Sequence, residues 1–101
     1  MIMTIELVPF EPERYFETPE SQAILLSDAL ATGEAAYIAR ALGVVAKAHG
    51  MTDLARRTGL NRATLYAALG SGGNPTLDTV MKIVGALGIS LVAEAKQDEA
   101  A

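Results

Sequence analysis

The chain has no cysteine and no tryptophan, a single histidine, and only three Tyr and two Phe among its 101 residues. Without cysteine there is no disulfide staple and no thiolate metal site, and His49 alone cannot build a zinc cage. No apolar run approaches the roughly 20 residues that a membrane span needs. Nor does a basic stretch lead into an apolar one at the N-terminus. No signal peptide and no membrane partner are therefore expected, and the cytoplasm is the default compartment. Catalytic groupings are equally scarce. His49 falls at an expected helix end, where a histidine commonly serves as a surface cap. Ser71 lies in a Gly-Ser-Gly-Gly turn with no phosphate-loop lysine after it. Glu11, Glu13, Glu17 and Glu20 read as a solvated face. The sequence reads as a non-enzyme, with no cofactor and no metal.

What is present is apolar bulk and sorted charge. Half of the residues are hydrophobic, enough for one domain with its own core. The net charge of −4 argues at first sight against a nucleic-acid binder. Residues 1–42, however, carry seven acids against Arg14 and Arg40, a net of −5. Residues 43–96 carry Lys47, Arg56, Arg57, Arg62, Lys82 and Lys96 against Asp53, Asp78 and Glu94, a net of +3. The tail adds Asp98 and Glu99. An acidic front half and a basic back half suit two different partners, although small acidic helices can equally be no more than soluble.

Along the chain, residues 1–8 (Met-Ile-Met-Thr-Ile-Glu-Leu-Val) read as a short strand within an arm of residues 1–17. Pro9 and Pro12 then break regular structure, and Tyr15 and Phe16 are expected to anchor the arm. Thr18-Pro19-Glu20 announces a first helix that stops at Gly33. A second helix spans about residues 34–49, apolar over a wide arc, with Gly50 closing it. Three shorter helices are expected over about 52–58, 62–69 and 77–87, with Asn61 and Thr76 as N-caps and Gly88 as a stop. Residues 89–95 alternate well enough for a strand that could pair with the N-terminal one, within a chain or across a dimer. The helical domain thus covers residues 18–96, and 97–101 form a frayed tail.

The functional signal is concentrated at residues 51–69, which have the pattern of a helix-turn-helix. Ala55 is small where two helices would cross, and Gly59 suits positive φ in the turn. Leu60 would plug the core beneath that turn, Leu54 would hold the first helix, and Leu65 with Leu69 would seat the second. The opposite face of the second helix would present Arg62, Ala63, Tyr66 and Ala67, with Asn61 and Thr64 at its start, to a major groove. Arg62 matches the two acceptors of guanine, Ala63 could touch a thymine methyl, and Thr64 and Tyr66 could contact bases or phosphates. Thr52 would cap the first helix, whose N-terminus could receive a phosphate. Arg56, Arg57 and Lys82 would neutralise backbone charge. Alternatives stay open: Tyr66 could equally pack at the core edge, and Arg56 and Arg57 taken singly read as a solvated face.

The chain resembles the addiction-module antidote proteins, HigA-like antitoxins with an Xre-type helix-turn-helix. The resemblance rests on Met51-Thr52, Leu54-Ala55, Thr58-Gly59-Leu60-Asn61-Arg62, Leu65 to Leu69, Gly73-Asn74-Pro75-Thr76-Leu77 and Ala86-Leu87-Gly88. Phe10, Tyr15, Thr18-Pro19-Glu20 and Leu30-Ala31 fit the opening helix. One departure is Met51, where broader Xre domains often carry a glutamine. The resemblance implies a mostly α, five-helix, lambda-repressor-like helix-turn-helix domain, here with short terminal β-strands. It implies a bacterial antitoxin that represses its own operon by binding double-stranded operator DNA and neutralises a small basic RelE/ParE-type toxin. DNA contacts would fall on Asn61, Arg62, Thr64 and Tyr66. The alternative is a stand-alone, phage-like repressor without a toxin. A homodimer is expected, since a two-fold pair doubles the base contacts on a palindrome. Its candidate interfaces are the terminal strands and the apolar helix around Val44, Val45 and Ile83.

Overall fold

A computed structural model describes residues 17–96. The expected strand at 1–8, the anchoring of Tyr15 and Phe16, and the tail at 97–101 lie outside the described residues. Five helices follow in order: α1 (Pro19–Thr32), α2 (Ala35–His49), α3 (Met51–Thr58), α4 (Arg62–Leu69) and α5 (Leu77–Ala86).

Local chemistry sets the helix boundaries. Thr18 Oγ1 accepts from the Ser21 amide at 3.1 Å, Pro19 occupies the first turn and Glu20 lies near the positive helix end. Thr76 Oγ1 accepts from the Thr79 amide at 3.1 Å and starts α5 in the same way. At the far end of α5 the Ile89 amide donates to the Val84 carbonyl at 3.0 Å beside Gly88 at φ 76°, a Schellman-type close. Between α2 and α3 only Gly50 intervenes, with φ 109°. Because the link is one residue long, α3 begins at Met51 and Thr52 sits inside its first turn. The expected Thr52 cap is therefore not made, and α3 has no side-chain N-cap.

The helices meet in one core. α1 packs on α2, α2 on α3 and α4, and α3 on α4 and α5. Leu26 and Ala29 of α1, Leu42, Val45 and Ala46 of α2, Leu54 of α3, Leu65 and Leu69 of α4, and Ile83 and Val84 of α5 form a single buried cluster. Full burial of a leucine such as Leu54 or Leu65 stabilises by about 1.5–3 kcal/mol before conformational entropy is set against it. Close approach matters where α2 meets α4. A Cβ on Gly43 would lie 3.1 Å from the Leu69 carbonyl oxygen, so glycine lets the two helices touch.

Two expectations are corrected. Val45 and Ile83 are fully buried within the chain and cannot serve as a dimer interface, because the core has already covered them. Among the described residues, 89–95 form no strand. A strand exists only as part of a ladder, and residues 90–96 make no backbone–backbone hydrogen bond among the described residues. Ile89 and Leu91 instead pack against the helical core.

Gly43 and Gly85 provide a paired test. Gly43→Leu is expected to cost about 1–3 kcal/mol by overpacking the α2–α4 contact. Gly85→Ala, where a Cβ meets nothing within 4 Å, is expected to stabilise by about 0.5–1 kcal/mol. Urea midpoints that move in the same direction for both would contradict the packing described.

Candidate nucleic-acid interface on α3 and α4

α3 and α4 are each eight residues long and are joined by Gly59-Leu60-Asn61. The turn is fixed from both sides. Gly59 has φ 79°, a left-handed conformation that side-chain-bearing residues rarely adopt, and its amide donates to the Ala55 carbonyl at 3.0 Å. Thr58 Oγ1 donates to the Leu54 carbonyl at 2.8 Å and accepts from the Leu60 amide at 3.2 Å. Leu60 and Ala55 are half-buried against the core, while Leu54 and Leu65 are fully buried. Asn61 Oδ1 accepts from the Thr64 amide at 2.7 Å and starts α4. That oxygen belongs to the cap, leaving the Asn61 amide nitrogen as the outward donor.

With Leu65 and Leu69 turned inward, α4 exposes Arg62, Ala63, Thr64, Tyr66 and Ala67. The Arg62 guanidinium lies over the Tyr66 ring, 5.7 Å from its centroid, and donates to Tyr66 Oη at 3.4 Å. No carboxylate pairs with it among the described residues. Tyr66 is 45% exposed, so its ring is a surface feature supported by Arg62 as well as by the helix beneath.

The basic residues of α3 are placed differently. Asp53 accepts from Arg57 Nε at 2.7 Å, from Arg56 Nη2, and from His49 Nε2 at 2.7 Å. The three partners lie three or four residues from Asp53, the spacing that puts them on one helical surface. Arg56 and Arg57 are thus held by one carboxylate, and Lys82 is held by Asp78 at 3.0 Å. The hydrogen bond from His49 holds the Asp53 carboxyl below its ordinary pKa, helped by Arg57 and Arg56 and opposed by partial burial. His49 contributes to this network at the α2–α3 junction. Among the described residues no group of three His, Asp or Glu side chains could hold a metal ion, and no helix is long and apolar enough to cross a membrane.

Residues 6–95 match the family described as probable addiction module antidote proteins. The chain belongs to that family. A Haemophilus influenzae relative, described only as an uncharacterized protein, is 37% identical over 87 residues, covering 86% of this chain and 90% of its own. No solved structure matches.

In this antidote-family protein the structure brings Asn61, Arg62, Ala63, Thr64 and Tyr66 together on one exposed surface. Thr52 is exposed at the start of α3, and Arg56 and Arg57 face Asp53. Sequence reasoning missed Asp53 as their partner, although its spacing to His49, Arg56 and Arg57 was a legible ion-pair signal. It also passed over Arg40 and Lys47, which line a groove of about 580 Å³ with Tyr66 and residues 70–73. The signal there was weak, since both read as ordinary solvated positions on an apolar helix.

The Asp53 network predicts a pH dependence. Its folded pKa is depressed, so its contribution is present above the ordinary carboxylate pKa and is lost as pH falls through the lower folded value. The stability of the wild type and of Asp53→Asn, followed by urea unfolding across the acid range, is expected to differ at neutral pH and to converge in acid. A gap that persists unchanged in acid would contradict this assignment.

Proposed function

We propose that the chain is the antitoxin of a type II toxin–antitoxin module that binds its operator through α3 and α4 used as a helix-turn-helix. The observation that carries the proposal is the outward face of α4. It is short, seated by Leu65 and Leu69, and presents, beside Thr64 and Tyr66, an arginine with no carboxylate partner among the described residues. Such a helix fits the major groove, and Arg62 supplies the planar fork that matches guanine O6 and N7. Membership of the antidote family supports the pairing with a toxin. On this reading the protein represses its own operon as a homodimer, placing two α4 helices on half-sites about 34 Å apart.

The toxin partner is a small basic protein of the RelE/ParE type. The acidic side of the antitoxin faces it: Glu20, Asp28 and Glu34 are exposed on and beside α1, alongside the exposed Ile24. Charge of this kind accelerates encounter more than it sets affinity. The net charge of −4 does not oppose operator binding, because Glu20 and Asp28 lie on α1 and not on the α4 face.

Two outcomes are expected. Arg62→Ala weakens operator binding by about 1–3 kcal/mol per site and relaxes base preference, read by titration of operator variants; unchanged affinity and preference would remove α4 as the reading element. Glu20→Lys combined with Asp28→Lys slows toxin association at low ionic strength and leaves operator binding in place. An association rate that is flat against salt in the wild type would discard the steering role.

A further inference from the structure

Seven bases lie among the described residues, and three of them, Arg56, Arg57 and Lys82, are held by carboxylates. Arg40, Lys47, Arg62 and Lys96 carry no ion pair among the described residues. Arg40 and Lys47 are seven apart on α2, two helical turns, so they project from the same face about 10 Å apart along the axis. Both are exposed. That face forms one wall of the 580 Å³ groove, whose opposite wall is Tyr66 and Leu69 of α4 with the turn at 70–73. Among the described residues no acid lines this groove. The turn is pressed onto the end of α4: a Cβ on Gly73 would clash with the Ala68 carbonyl oxygen. The groove is thus continuous with the exposed α4 face through Tyr66, which belongs to both.

We propose that Arg40 and Lys47 are phosphate-holding residues that grip the duplex backbone flanking the base pairs read by α4. The inference rests on the operator-binding reading above. Its occupant is a DNA strand, argued from charge complementarity and from the shared Tyr66. The Arg40 guanidinium and the Lys47 ammonium, rooted about 10 Å apart along α2, reach separate phosphates rather than share one, and the apolar lining at Val44 and Leu69 suits the C–H edge of deoxyribose. The positive charge that orients this protein on DNA then comes from α2, outside the two helices that carry the motif. Arg56 and Arg57 contribute less, because each must first leave Asp53.

The test is the salt dependence of duplex binding by the full chain, wild type against Arg40→Ala and Lys47→Ala. It uses a duplex from the protein's own upstream region and a scrambled duplex. Each variant is expected to bind both duplexes more weakly by a similar factor and to lower the slope of log K against log salt by about 0.9. Equivalently, the wild type loses about 3.5-fold more affinity than either variant between 50 and 200 mM salt. Base preference stays as in the wild type, in contrast to Arg62→Ala, and Arg40→Lys restores the slope. Wild-type slopes in both alanine variants would overturn the inference while leaving operator binding by α4 intact. Loss confined to toxin association, with duplex binding unchanged, would overturn it in favour of a protein segment in the groove. A wild type with no affinity for either duplex would remove the operator-binding reading and this inference together.

Discussion

The seating of α4 on α2 is the contact from which the surface properties of this molecule follow. Leu65 and Leu69 bury one side of an eight-residue helix that would be far too short to persist alone in water. Gly43 lets the backbone of α2 approach the Leu69 carbonyl, and the Asn61 cap fixes where α4 begins. Once those constraints hold, the exposure of Arg62, Ala63, Thr64, Tyr66 and Ala67 is a matter of helical geometry. Residues three and four apart share a face, and the face opposite the leucines is the one left to solvent. The glycine turn adds direction, since the left-handed Gly59 swings the chain sharply between α3 and α4.

Electrostatics then divides the molecule more finely than the sequence totals suggest. The basic excess of residues 43–96 is partly consumed internally, with Asp53 holding two arginines and a histidine and Asp78 holding Lys82. Among the described residues, the bases around α4 without an ion pair are Arg62 on the helix itself and Arg40 and Lys47 across the neighbouring groove. No acid of α1 lines that groove. A protein of net negative charge can in this way offer a local positive surface to one partner and a negative one to another, because fields at the Debye length of roughly 8–10 Å are set by neighbours rather than by totals.

The helical plan was legible because its signals are local. Thr18-Pro19-Glu20, Asn61 and Thr76 are capping residues, and Gly33, Gly59 and Gly88 are stops, so each boundary could be read within a few residues. The same locality produced the error at Thr52, where a good capping residue was overridden by a one-residue link that starts α3 earlier. The expected strand at 89–95 has no partner among the described residues: alternation describes a half-buried segment, whereas a strand needs a ladder that pattern cannot supply. Val45 and Ile83 looked like interface residues because a wide apolar arc does not say which part meets the protein's own core. The Arg40–Lys47 groove was invisible in sequence because its walls come from α2, α4 and the turn between α4 and α5, which only packing brings together.

The account depends on α4 meeting a duplex with its outward face. The most direct measurement is a two-dimensional NMR titration of the isotope-labelled protein with DNA from its own upstream region. The account predicts that the largest changes fall on residues 61–67, including the Arg62 and Asn61 side-chain resonances, while α1 stays quiet. A titration in which α4 is unperturbed and the changes gather on α1, or in which no residue responds at low salt, would contradict it.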